Sequence, residues 1–292
     1  MNPLRVVVLV SSDTSDIFFA NQLVKKLNVV GIVVEQQYEK VSVWTRISKA
    51  LCMITSPRRL LKKMNDRSTM KNYGQKAFKV DEERFYEDGK RIVAPDTCKL
   101  IFTQGTKAIN SPVYVEEIKK LFPDVIAVCG TSILKDDIIS IPSKGILNLH
   151  GGLSQKYRGV WTTYWAMLNE EPEYIGATIH YVDQGIDDGE IIFQGRPDIE
   201  VNDNPEELYT KVVKLGIRMM VKAIKNIEAD TVKSYPPEML GDLYIDKMMT
   251  PEVLKKVWEK NTQRLIKHYL EEKSMRDEKV TLMLKNTFFS KK

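Results

Sequence analysis

The chain has 292 residues, 43% hydrophobic and 28% charged, with a formal net charge of +5. That is material for one large domain or two ordinary ones, and it excludes collagen-like, linker-like and disordered chains. Three cysteines at wide spacing (Cys52, Cys98, Cys129) without a CxxC pair argue against a disulfide framework and a cysteine-based zinc site. The cysteine usage fits a reducing cytoplasm, where the protein is expected, and the longest apolar runs, such as residues 6–10 and 29–34, are too short to span a bilayer.

In chain order, residues 5–10 (RVVVLV) read as a central strand and the polar run 11–16 as a helix start, with helical spacing from Ile17 to Leu27. Residues 29–35 (VVGIVVE) read as a second buried strand. This strand–helix–strand opening predicts an α/β fold with a Rossmann-like, doubly wound, mostly parallel sheet. The loop after the first strand has no GxGxxG, so a dinucleotide fingerprint is absent. Residues 38–90 read as a helical insert broken at Ser56-Pro57. Strands are expected at 100–103, 124–129, 145–150, 177–182 and 190–194, and helices at 112–122, 160–169 and 205–227, the last capped by Asn204. A catalytic domain over 1–230 is therefore expected. A mainly helical C-terminal extension over 231–292 follows, with one helix from the Thr250-Pro251 start to about Lys273 and a charged peripheral tail.

Charge is uneven. Residues 41–80 carry ten basic side chains (Arg46, Lys49, Arg58, Arg59, Lys62, Lys63, Arg67, Lys71, Lys76, Lys79) against one acid, Asp66. This local excess of nine leaves the remainder of the chain four negative. Such a segment attracts phosphate or forms a solvated helical face.

Asn148 and His150 lie two apart on a strand, so their side chains share a face at its carboxyl end. Gly151 and Gly152 follow, and let the backbone pass close to a ligand. A second loop, residues 183–189, carries Asp183, Asp187 and Asp188 after another strand. An amide, an imidazole and a carboxylate form a workable acyl-transfer set: an oxyanion donor, a proton carrier and an orienting charge. No nucleophilic Ser or Cys is needed when the attacking group belongs to the substrate.

Residues 148–159 (NLHGGLSQKYRG) resemble the formyltransferase signature Asn-x-His-x-x-Leu-x-x-x-Tyr-Arg-Gly, and residues 178–192 resemble that family's second signature. The resemblance implies 10-formyltetrahydrofolate as formyl donor and no metal. It carries catalytic roles onto Asn148, His150 and Asp187. It places the donor at Gly130, Ser132, Ile133 and Leu134, with Asp183 shaping the donor loop. The acceptor would meet Gly151, Gly152, Tyr157, Arg158 and Trp161, while Trp165 reads as core. Where the family often has Pro-Ser-Leu-Leu-Pro after the histidine, this chain has Gly151-Gly-Leu-Ser-Gln155, which bears on acceptor identity more than on chemistry. The short, helical C-terminus is unlike the β-barrel of the methionyl-tRNA enzymes. The expected acceptor is therefore the amine of a nucleotide-linked amino sugar, a UDP-4-amino-4,6-dideoxyhexose of the pseudaminic-acid type, with no nucleic-acid partner. Homodimer pairing through the C-terminal segment is expected by analogy. The alternatives are a methionyl-tRNA or other small-amine formyltransferase, in which the basic segment grips RNA, and a non-catalytic folate- or nucleotide-binding module.

Overall fold

The computed structural model describes residues 3–36, 57–260, 262–284 and 286–288. Its centre is a seven-stranded sheet built from β1 (Val6–Ser11), β2 (Val29–Glu35), β3 (Lys99–Phe102), β4 (Val125–Cys129), β5 (Ile146–His150), β7 (Ala177–Tyr181) and β8 (Ile191–Gly195). The spatial order is β3-β2-β1-β4-β5-β7-β8. The first five strands run parallel, and β7 and β8 are antiparallel additions at one edge. The Val-rich β1 is hydrogen-bonded on both sides, so every one of its residues is buried. A strand covered on both faces needs this unbroken apolar composition. Val6, Val8 and Val10 point into one core with α1 (Thr14–Val24) and α6 (Pro205–Glu228), while Val7 and Leu9 point into a second core with α3 (Pro112–Lys119). The chain order reverses about β1, the doubly wound arrangement expected, and it collects the loops after the parallel strands along their carboxyl edge.

The cap at Asn204 is a full capping box: its side chain accepts from the Glu206 and Glu207 amides, and Glu207 reaches back to the Asn204 amide. Among the described residues the insert opens with a helix, α2 (Pro57–Phe85), whose first residue is Pro57, consistent with a break at Ser56-Pro57. Arg46, Lys49 and Cys52 lie outside the described residues. The remaining helices of the main body are α4 (Asp136–Ile139) and α5 (Thr162–Leu168). None of the described helices is long and apolar enough to cross a membrane.

The C-terminal segment departs from the expectation. In place of one helix to about Lys273 there are α7 (Pro251–Glu259), α8 (Thr262–Glu271) and α9 (Lys273–Met283). Lys260 adopts an extended ψ of 141° and ties its Nζ to the Leu168 carbonyl at 2.8 Å and to Glu170 at 2.8 Å. The tail is not peripheral either. Arg276 pairs with Glu173 at 2.6 Å, Asp277 with Arg196 at 2.7 Å, and Val280 is buried. A short strand β9 (Asp242–Tyr244) pairs with β6 (Tyr157–Gly159), fastening this segment directly behind the histidine motif.

Candidate active site

The site grows from the one place where the sheet changes from parallel to antiparallel. β5 is parallel to β4 and antiparallel to β7, with Asn148 directly opposite His180 and His150 opposite Thr178. Strand parity puts these four side chains on one face. Thr178 donates through Oγ1 to the Gly152 carbonyl at 2.7 Å, which fixes the glycine pair after His150.

The loop after β7 brings in the carboxylate. Asp187 has φ of +51°, an uncommon conformation for a residue with a Cβ, and this turns its side chain back over the strands. Oδ2 accepts the Gly159 amide at 2.8 Å and lies 3.3 Å from His150 Nδ1. Oδ1 accepts from Asn148 Nδ2 at 3.2 Å and lies 3.5 Å from His180 Nε2. Burial by itself would raise this carboxyl; His150, His180 and the Gly159 amide outweigh it and hold Asp187 well below the ordinary carboxylate range. Asp187 is thus an anion placed between two imidazoles.

His150 is 4% exposed, and its second nitrogen, Nε2, is 2.7 Å from the Tyr157 carbonyl. When charged, the ring donates on both sides. A Cβ added at Gly152 would stand 2.7 Å from His150 Nε2 and 2.9 Å from the Tyr157 carbonyl, so the close approach requires glycine. His180 Nδ1 faces the Tyr181 carbonyl at 2.8 Å, which assigns its proton to Nδ1 in the neutral ring and leaves Nε2 to accept from Asn148 at 3.1 Å. His180 lies within the second motif but received no role from sequence. Only the β5–β7 register, which sets it opposite Asn148, reveals one.

The structure distributes the other sequence-picked residues over three places. Gly130 (φ +73°) begins the loop after β4, and a Cβ there would run into the buried Asp16 carboxylate. Ser132, Ile133 and Leu134 continue that loop: Ile133 is exposed and Leu134 is buried. The loop borders an open cleft of about 470 Å³ lined by Leu134, Lys135, Asp136, Asp137, Ile139 and Gln184. Gln184 reaches Asp136 at 3.4 Å across it. Asp183, beside Gln184, is exposed and among the described residues accepts that neighbour's amide alone.

Of the residues expected at the acceptor, Gly151 and Gly152 lie beside His150. Trp161 is 39% exposed, with Nε1 donating to Asp246 at 3.0 Å. Tyr157 offers its carbonyl rather than its ring: the side chain is buried and its hydroxyl donates to Glu171 at 2.5 Å. Arg158 is committed to the carbonyls of Gly241 at 2.9 Å and Ile186 at 3.2 Å, so it ties the Asp187 loop to the C-terminal segment instead of standing free for a ligand. Trp165 is core, stacked on Tyr244 at 4.6 Å.

A family profile described as "Formyl transferase" matches residues 4–224. The methionyl-tRNA formyltransferase of Methylacidiphilum infernorum is 32% identical over 147 residues, 50% of this chain and 46% of that protein. Among solved structures, a phosphoribosylglycinamide formyltransferase from Anaplasma phagocytophilum superposes with a TM-score of 0.51 at 16% identity, over 84% of this chain and all of that one. A sugar N-formyltransferase from Shewanella superposes with a TM-score of 0.50 at 15% identity, over 84% and 78%. At such identities the structural likeness concerns the fold. The chain spans about half the length of the curated relatives it matches, and they carry the name methionyl-tRNA formyltransferase. That finding overturns the amino-sugar acceptor expected from the short helical C-terminus.

Proposed function

The chain belongs to the formyl transferase family, and from that premise we propose that it transfers the formyl group of 10-formyltetrahydrofolate to the amine of methionyl-tRNA. The observation that carries the chemistry is the Asn148–His150–Asp187 cluster at the carboxyl end of β5. The names of the curated relatives support the acceptor. So does α2, where Arg58, Lys62, Arg67, Lys71, Lys76 and Lys79 are all exposed, the surface charge that RNA phosphates require.

The donor, when bound, supplies an activated formyl carbon. In the reaction the amine nitrogen bonds to that carbon, the bond from the carbon to the folate nitrogen breaks, and one proton leaves the amine and one is gained by the folate nitrogen. The loop Gly130–Leu134 suits the donor, because the backbone amides of Ile133 and Leu134 have no partner among the described residues and Leu134 lines the cleft. Asn148 Nδ2 donates to the formyl oxygen as charge develops there, exchanging one of its two present partners. His150 takes and returns the proton at Nε2, the nitrogen remote from Asp187, on releasing the Tyr157 carbonyl. Asp187 stabilises the charged ring and keeps its orientation.

Mass spectrometry of reactions with purified protein, 10-formyltetrahydrofolate and a panel of amines tests this reading. A formyl gain is expected on methionyl-tRNA and is lost in Asn148→Ala. A gain confined to another amine, whether glycinamide ribonucleotide or a nucleotide-linked sugar, overturns the acceptor. No gain on any amine overturns the chemistry.

A further inference from the structure

The Gly130–Lys135 loop is irregular, and its shape is imposed from outside. Glu35, the last residue of β2, is completely buried, and its Oε2 accepts the Ser132 amide at 2.7 Å across 97 residues of sequence. Asn110, in the short turn before α3, grips the next stretch twice. Its Nδ2 donates to the Ile133 carbonyl at 3.0 Å, and its Oδ1 accepts the Lys135 amide at 2.8 Å. Between these clamps the amides of Ile133 and Leu134 remain without partners among the described residues.

We propose that Glu35 and Asn110 are positioning residues that hold this backbone so that its two unpaired amides face the folate donor. The inference rests on the donor assigned above. Glu35 Oε1 has no hydrogen-bond partner among the described residues, and neither has the buried Thr103 Oγ1 at the end of β3, the strand next to β2. Burying a carboxylate with one oxygen unpaired is unfavourable, and an apolar side chain would fill the same space at lower cost. Such a side chain would leave the Ser132 amide unheld. The placement is therefore explained by the loop, not by the core. Both residues act through the backbone of the loop and neither belongs to the Asn148–His150–Asp187 cluster.

The test measures tetrahydrofolate affinity by direct titration, steady-state KM and kcat for the formyl donor, and melting temperature. It compares wild type with Glu35→Ala, Glu35→Gln and Asn110→Ala. Losing one loop clamp is expected to raise the tetrahydrofolate Kd and the donor KM together by about tenfold while kcat stays within about twofold. Glu35→Gln should restore affinity, because its amide oxygen still accepts the Ser132 N–H. A purely structural role would lower the melting temperature and leave the Kd of the folded protein unchanged. That result in Glu35→Ala and Asn110→Ala overturns the proposal. Should Glu35→Ala fail to fold, unchanged affinity in Asn110→Ala alone overturns it. Wild-type protein that does not bind tetrahydrofolate instead refutes the donor assignment, and the inference goes with it.

Discussion

The end of β5 and the first two-thirds of α2 are built on opposite plans. At β5 the polar atoms are closely partnered: Asp187 meets four partners within 3.5 Å, and the ring nitrogens of His150 and His180 all face oxygens or the Asn148 amide. Along α2, about 43 Å of helix by its length, Arg58, Lys62, Arg67 and Lys71 are exposed and so are Leu61 and Met64. The helix meets the body near its middle and C-terminal end: Tyr73 stacks on Trp258 at 6.1 Å and bonds Glu259 at 2.9 Å, and Arg84 pairs with Glu207 at 2.6 Å. A site that must set a reacting atom to a fraction of an ångström needs the first plan. A surface that attracts a polyanion needs only charge and access, and each of its residues contributes little alone.

The difference breaks most sharply at β5. His150→Ala and Asn148→Ala should each lower turnover by about 10²–10³ or more, the usual cost of losing an oxyanion donor or proton carrier. Circular dichroism should show the fold retained. Turnover that survives either change would remove the cluster from the chemistry. Gly152→Ala tests the same packing without touching a functional group. Its methyl would crowd His150 Nε2 and the Tyr157 carbonyl, and a displacement approaching 1 Å is expected to cost up to about 10²-fold in kcat. Wild-type kcat in this variant would show that the ring has room to move.

How much of this was legible beforehand depends on the range of the interaction. The strands, the Asn204 cap and the shared face of Asn148 and His150 follow from local pattern, and they stand where the pattern puts them. The Asn148–His180 contact needs the β5–β7 register, which two strands separated by 26 residues do not announce. The Glu35–Ser132 bond joins positions 97 residues apart and carries no local mark at all. The break between α7 and α8 was missed because neither Gly nor Pro stands there; Lys260 is drawn out by the Leu168 carbonyl and Glu170, which are tertiary partners. Arg158 and Tyr157 sit in the motif, where local pattern points to ligand contact, yet their side chains are engaged by Gly241, Ile186 and Glu171. The acceptor was misjudged for a related reason: the motifs encode formyl transfer and are silent on which amine receives it.

The helix side of the comparison sharpens with charge reversal. Replacing Arg58, Lys62, Arg67 and Lys71 with Glu together should raise the KM for methionyl-tRNA by about tenfold or more while leaving kcat and tetrahydrofolate affinity near wild type. The salt dependence should flatten as well, by about 0.7 in the log–log slope for each cation that had met a phosphate. An unchanged KM and slope would remove α2 from acceptor binding and leave it a solvated helical face.

The smallest expected effect lies where the two plans meet. Asp81, on α2, is half-buried against Glu206 in the first turn of α6, with Asp13 nearby and the Tyr164 hydroxyl donating to Glu206. Burial, and then Glu206, raise the Asp81 carboxyl far above its ordinary value. A carboxyl raised on folding binds its proton more tightly in the folded protein than in the unfolded chain. Its contribution to stability is therefore complete below the unfolded value of about 4 and declines as pH rises toward the folded one. Wild type should lose melting temperature on going from pH 6 to pH 9. Asp81→Asn, which keeps the shape and cannot ionise, should lose less over the same range. Limited proteolysis locates the effect: cleavage within residues 57–80 should increase with pH in wild type more than in the variant, because the joint that weakens is the one holding α2 to the body. Parallel pH profiles for the two proteins would mean that the Asp81 carboxyl is not raised on folding, its charge in the folded protein being met by solvent, and that Tyr73, Arg84 and Phe85 carry the attachment among the described residues.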